Sequence, residues 1–557
     1  MIGVKINGQW LDLFPGTTLS FDLNNPAYLG DDVDVIQGAF SFPADIPLTP
    51  ANRKTLKNPQ RLDSSALFVK DEPAEVWAEG EMLFPALATI TEAGEGTARM
   101  TLLVGWISKL KDIALNELDL GGEVTMGTSV LTTIAHAKDT ALNPLDYHYV
   151  FYPIHNPAIL DDSDADTNTV GNWQNRYDAA FGAFYHEPND VAMPFLRLDF
   201  VLEKLFLAGG FSLKNNWQTT DELRLLTLYN NYNITNIATG DWSFSFDPKN
   251  HISKTKGGEF LKKLARLFNL GVFVNYFDAV AELQPLEPLL RRAARHDWTT
   301  KAVNNYTVSQ SENYPTRFGY ESLYEELAYY LGWAGSDLEN GIPAWILAEV
   351  DDLNTLTSGD PAGYYLERTT NLIAQWVPTG TPYFAGRSKY MPVINEGEKM
   401  KFVSGISTGW LRDLDPITPQ VKVKGTIGVE KNDCPDKLFL YRGMQKDASN
   451  NDYPMGDTMG FKLNKTVLSV EGSPAEYSLY WDRERGLYNR WWKNWHNFLK
   501  TKRDVKRQFA LSVRDVRNFS FADKVRVGNQ NYFVKKLHLT LSQRGLEMTE
   551  AELVSVV

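Results

Sequence analysis

Val4-Lys5-Ile6-Asn7-Gly8-Gln9-Trp10-Leu11 decides the fold class. Asn-Gly supplies the pair of positive φ angles that a type I′ turn demands, and only that kind of turn matches the twist of the flanking strands. Apolar and polar residues alternate before the turn, the period of a strand with one buried face. Working outward, further strands are expected at Leu19–Leu23, Ala39–Phe42, Ala74–Phe84, Ala86–Thr91 and Thr97–Val104. The last two flank the tight turn Ala93-Gly94-Glu95-Gly96. Pro50 to Lys57 is a short helical turn at most. Short strands with frequent turns predict a small barrel or sandwich over residues 1–115.

Residues 116–300 mix helix and strand. Thr128 to Leu142 reads as a helix. Pro194 opens another, with Leu198, Val201, Leu202, Leu205 and Phe206 on one stripe and Gly209-Gly210 at its end. The same spacing recurs at Phe260, Leu261, Leu264, Leu267 and Phe268, with Gly271 as the stop. Strands Val272–Tyr276 and Ala279–Leu283 follow. The echo of helix, glycine and strand hints at two related units. Residues 301–420 lose their periodicity and become rich in aromatics, Gly and Pro, a mark of binding loops or an insertion. Residues 421–557 return to strands at Val421–Gly428, Lys437–Tyr441, Thr466–Val470 and Tyr477–Trp481. A Trp-rich helix over 485–501 then carries Leu487, Tyr488, Trp491, Trp492, Trp495, Phe498 and Leu499 on its apolar stripe. Strands Gln508–Val513, Lys524–Val527, Tyr532–Leu537 and Leu539–Ser542 lead to a last one near Glu552–Val556. The expected fold is α+β, mainly β: several small β-barrel or sandwich domains with added helices.

The 557 residues are 43% hydrophobic and 22% charged, globular values that exclude a collagenous or wholly disordered chain. The single cysteine, Cys434, excludes an internal disulfide framework and multi-cysteine metal sites. The opening Met1–Gly8 lacks the basic and apolar runs of a secretory signal, so synthesis and folding in cytoplasm are expected. No apolar run reaches the roughly 20 residues a bilayer span needs, so no stable membrane insertion is expected. Net charge is −13 and uneven: residues 482–557 hold 16 Lys/Arg against 8 Asp/Glu, which leaves −21 for residues 1–481. An acidic body disfavours sequence-independent grip on nucleic acid. Arg490, Lys493, Lys502, Arg503, Lys506 and Arg507 are the candidates for charge contacts with an acidic neighbour, such as a second copy; a solvated basic face is the plain alternative.

Catalytic signatures are weak. Gly405-Ile406-Ser407-Thr408-Gly409 matches a nucleophile elbow in letters, but Trp410–Pro416 leaves no room for the helix that must follow the serine. Asp162, Asp164 and Asp166 alternate like a calcium loop, yet the positions that need Gly and Glu hold Thr167 and Trp173. An acidic surface loop is the simpler reading. The eight histidines form no short zinc pair, and no phosphate-cradling glycine loop opens a helix. No cofactor is expected. Tyr320, Tyr324, Tyr329, Tyr330 and Trp333, with Glu321, Glu325 and Glu326 among them, form either packed core or a platform for a partner or glycan.

Three segments carry a resemblance. Gly38-Ala39-Phe40-Ser41-Phe42-Pro43-Ala44-Asp45-Ile46-Pro47-Leu48-Thr49-Pro50-Ala51-Asn52-Arg53 resembles the opening signature of tail hub and tail-tip proteins of Bacteroidetes-type tailed phages and prophages. Glu259–Leu283 is similar to a helix-and-hairpin segment of such hubs, and Val505–Val557 resembles their closing strands. The resemblance implies a non-enzymatic, ring-forming hub, often a homotrimer, around a channel. Its partners would be the tail tube, distal tail protein and fibre or spike, with a host surface glycan as a further one. DNA would meet it only in transit, past an acidic lumen that repels it. The protein would then be made in the host cytoplasm and reside in the virion tail. Two alternatives stand beside it: an enzyme degrading cell-wall or capsule polysaccharide, motivated by the aromatic and acidic residues of 320–333, and a non-catalytic carbohydrate-binding tail protein.

Overall fold

The computed structural model describes residues 2–25, 39–41, 43–61, 69–104, 110, 112–155, 173–236, 238–275, 277–310, 317–320, 346–350, 355–367, 372–376, 378, 383–387, 401–404, 407–408, 410–412, 420–422, 436–446, 451–457, 477–479 and 485–556. The fold is α+β and mainly β, with one large sheet, several small ones and a few helices.

Asn7 (φ 49°) and Gly8 (φ 76°) make the expected turn, and Ile2–Ile6 pairs with Gln9–Trp10 across it. That hairpin begins a 15-stranded sheet. Outward from it run Glu72–Ala78, Glu81–Ala93, Thr97–Val104, Ala39–Ser41 and Leu19–Asn24. The sheet then continues into the other end of the chain, through Gln530–Ser542, Thr549–Val556 and Arg503–Phe509, and finishes on Ala302–Gln310. Segments 1–115 and 421–557 of the sequence therefore meet in one sheet.

Their seam is antiparallel, from Leu19 opposite Leu541 to Asn24 opposite Lys536. Beneath it, Phe21, Val76, Met100, Leu539 and Leu541 are fully buried in one apolar cluster drawn from both ends. Polar groups fix the register. The Asn25 carboxamide donates to Val534 O (2.7 Å) and Phe521 O (3.2 Å), and its backbone N–H donates to Lys535 O (2.9 Å). Asp22 lies 2.7 Å from both Lys536 Nζ and His538 Nδ1. Burial raises the Asp22 carboxyl pKa, but the hydrogen bonds and charges of Lys536 and His538 outweigh that and hold it below its usual value.

The second core is helical and aromatic. Helix Val130–Leu142 starts on a Ser129 cap, with Ser129 Oγ accepting from Thr132 N–H. Helix Leu198–Ala208 begins later than Pro194, because Phe195–Leu196 first forms a short strand against Tyr149–Val150. Helix Gly257–Phe268 ends at Asn269, which takes the left-handed conformation itself (φ 51°). Gly271 serves packing: a Cβ there would sit 2.6 Å from Phe273 and 2.7 Å from Leu286. The two echoing units share one small sheet, with Ser212–Asn215 parallel to Val280–Pro285 and that strand antiparallel to Leu270–Asn275.

The Trp-rich helix packs on this unit. It opens with a wide π-helical turn, Tyr488–Trp492, before the α-helix Lys493–Thr501. The wide turn is where Trp491 O accepts from Asn269 Nδ2 (2.7 Å) and Trp492 Nε1 donates to Arg266 O (3.1 Å). Trp491, Trp492, Trp495 and Phe498 are buried, so the stripe is core. Two further expectations change. The strand expected over Ala74–Phe84 is a hairpin, turning at Glu79 (φ 54°) and Gly80 (φ 87°). Residues 477–479 are irregular, with Tyr477 stacked on Trp491 at 5.9 Å. Thr466–Val470 lies outside the described residues.

Candidate functional site

Ala302–Gln310 is a nine-residue strand at the end of the large sheet. Its sequence, Ala-Val-Asn-Asn-Tyr-Thr-Val-Ser-Gln, holds no charge and no proline. Tyr306, Thr307 and Val308 are good strand formers, and the strand lies beside Arg503–Phe509 with Tyr306 opposite Arg507 and Val308 opposite Val505. Among the described residues no strand pairs with its outer edge. Residues 304–310 are exposed, with Tyr306 at 58% and Val308 at 51%. Natural sheets blunt such edges with charge, proline, bulges or a covering element, because a row of unpaired N–H and C=O groups recruits another strand. This edge has a bulge between Ala302 and Tyr306, and among the described residues no strand pairs with it beyond the bulge.

Only some of the basic residues picked from the sequence stand beside this edge. Arg503, Lys506 and Arg507 stand on the neighbouring strand. Arg507 is partly committed: its Nε donates to Val303 O (2.6 Å) and its guanidinium lies 5.3 Å from the Tyr306 ring, bracing the edge from below. Lys506 is exposed and sits 2.8 Å from Glu552, whose hydrogen bond and charge raise the ammonium pKa. The Arg503 side chain is exposed. Lys502 is 5% exposed, with burial lowering its pKa and Asp504 3.4 Å away. Arg490 packs over Tyr477 at 4.9 Å, and Lys493 is exposed on the helix. The strand itself was hidden in the sequence reading, which placed it at the start of the loop-rich segment 301–420. Its signal was the Tyr306-Thr307-Val308 run, free of Gly and Pro.

The other candidates fall elsewhere. Tyr320 ends the strand Arg317–Tyr320, which pairs in parallel with Lys401–Ser404. Tyr324, Tyr329, Tyr330 and Trp333, with Glu321, Glu325 and Glu326, lie outside the described residues, as do Asp162, Asp164 and Asp166. Among the described residues no group of three or more His, Cys, Asp or Glu could hold a metal ion. No described helix is long and apolar enough to cross a membrane. Ser407-Thr408 forms a short strand against Lys437-Leu438, and Trp410–Arg412 is again strand where a nucleophile elbow needs a helix.

No family model and no curated protein matches the chain. Among solved structures it is similar to the 43 kDa tail protein of prophage MuSo2 from Shewanella oneidensis, at 7% identity and a TM-score of 0.35, covering 100% of this chain and 98% of that one. It is also similar to the tail protein from Neisseria meningitidis MC58, at 8% identity and a TM-score of 0.33, over 100% of this chain and 95% of that one. At these scores the likeness carries no argument of its own.

Proposed function

We propose that this chain is a non-enzymatic structural subunit of a phage virion tail, a tail-tip or baseplate hub of the Bacteroidetes type. Its copies join by strand addition at Ala302–Gln310 into a ring, a homotrimer in the first instance. The single observation that carries the assembly is that bare edge: nine residues without charge or proline at the end of a 15-stranded sheet. A head-to-tail interface between unlike patches closes into a ring when the rotation permits. The exposed cations Arg503 and Lys506 then face the acidic body of the next copy, which supports the pairing electrostatically.

Tail membership is supported by the sequence resemblance, whose first and last segments both supply strands of the sheet that carries the edge. In this reading the ring links the tail tube and distal tail protein to a fibre or spike, and its acidic surface lets DNA pass without sticking. Tyr320, Tyr324, Tyr329, Tyr330 and Trp333 belong to the segment that contacts neighbouring tail components or the cell surface. Light scattering across a concentration series tests the assembly. A species near three times 63.0 kDa is expected, and a strict monomer at all concentrations contradicts self-assembly of the isolated chain.

A further inference from the structure

A broad, open concavity of about 680 Å³ lies on the helical unit, between Glu123 and the segment from Tyr232 to His251. Its size lies within the roughly 300–1,000 Å³ of small-molecule clefts. The walls are fixed by hydrogen bonds made within the protein. Asn233 Oδ1 accepts from Ala192 N–H (3.1 Å) and Thr235 N–H (3.0 Å), and its Nδ2 donates to Thr235 O (2.9 Å). The turn from Asn236 to Asp241 is closed by Asn236 N–H to Asp241 O (2.8 Å) and Gly240 N–H to Asn236 O (2.7 Å). Gly240 is required there: φ is +75°, and a Cβ would meet Glu187 O at 2.3 Å.

The chemistry of the lining is selective. Among the described residues no lysine or arginine lines the cavity, so a phosphate, sulfate or carboxylate ligand finds no counter-charge there. Glu123, Asp241 and Asp247 present acceptors, while Asn236 and Asn250 present both donors and acceptors. Among the described residues, the Asp241 carboxylate and the Asn250 carboxamide make no hydrogen bond, so both are free to bind. Tyr232, half-buried and held edge-on to His251 at 5.3 Å, adds ring surface, with the buried Phe246 packed behind His251. Hydroxyl donors for carboxylates, mixed partners for amides and C–H faces for a tyrosine ring together describe a sugar. We infer that this cavity binds an uncharged saccharide, with Asp241 and Asn250 as its principal hydrogen-bonding side chains. The inference does not depend on the ring.

Calorimetric titration of the full chain tests it, using trisaccharides of N-acetylglucosamine, glucose, galactose and mannose, with trilysine as a control. At least one sugar is expected to bind saturably. Asp241→Ala and Asn250→Ala should each weaken it about tenfold or more, with the thermal midpoint unchanged because both side chains are unbonded in the fold. Edge substitutions at Tyr306 and Val308 should leave the sugar affinity as it was. Absence of saturation by all four sugars up to about 10 mM overturns the inference. So does sugar binding that survives both substitutions, or saturable binding of trilysine alone.

Discussion

Two edges of the large sheet, at the ends of its main run of strands, are finished differently. One edge, Gln9–Trp10, is only two residues long and is dressed: Trp10 lies 5.5 Å from Trp77, and the Lys5 ammonium sits 4.6 and 4.2 Å from the two rings and 3.3 Å from Glu75. Trp10 folds back over the backbone so closely that a Cβ on Gly3 would come within 2.5 Å of its ring. The opposite edge, Ala302–Gln310, has nine residues, no charge of its own and an exposed apolar row. A two-residue, aromatic-capped strand leaves little edge to pair with, whereas a nine-residue strand free of charge and proline invites pairing. The contrast supports the proposal that the long edge, and not the short one, meets the next copy.

The largest expected effect comes from giving the open edge the charge it lacks. The double substitution Tyr306→Lys and Val308→Lys should convert the oligomer to monomer in light scattering, while circular dichroism stays unchanged because both sites are exposed. An unchanged oligomer would break the comparison. Next, the sheet between the edges must hold as one body. Leu539→Ala, at a fully buried seam position, should cost about 2–5 kcal/mol in denaturant unfolding and speed hydrogen exchange in Leu19–Asn24. Loss of stability without that effect on the first strand would mean the chain's two ends are held separately.

The seam also has a pH dependence. Asp22 has a depressed pKa in the folded protein, so its contribution is present above the unfolded carboxyl value near 3.9 and is lost as pH falls through the lower folded value. Asp22→Asn should cost about 1–2 kcal/mol at neutral pH and flatten the loss of stability on acidification. An acid limb identical to that of the unsubstituted chain would remove Asp22 from the account. The smallest effect belongs to the dressed edge. Gly3→Ala should push Trp10 outward, red-shift tryptophan fluorescence and cost under about 1 kcal/mol, with no change of oligomer. A change in assembly would show that the short edge also takes part.

Much of the fold was legible where the signal is local. Asn7-Gly8, the stripe of 257–268 and the apolar face of 485–501 each specify their own geometry within a few residues. Glu79-Gly80 escaped because apolar alternation runs straight through it and Glu is a poor mark of a turn. Pro194 misled because a proline suits the lead-in to a short strand as well as the first turn of a helix. The pairing of Leu19–Asn24 with Lys536–Leu541 was beyond reach, since partners far apart in sequence leave no spacing to read. The open edge was missed for a related reason. Its strand pattern is visible, but exposure is settled by which strands fill the sheet beside it. Basic character at Arg503, Lys506 and Arg507 was visible, and the structure sets those residues on the strand inside the edge.

Backbone hydrogen exchange of Ala302–Gln310, followed as protein concentration rises through assembly, tests the central claim most directly. Fast exchange is expected in the monomer for the outward-facing amides, those not bonded to Arg503–Phe509, and strong protection of the same amides in the oligomer, in step with the mass change. An oligomer that forms while Ala302–Gln310 exchanges as fast as in the monomer would contradict it.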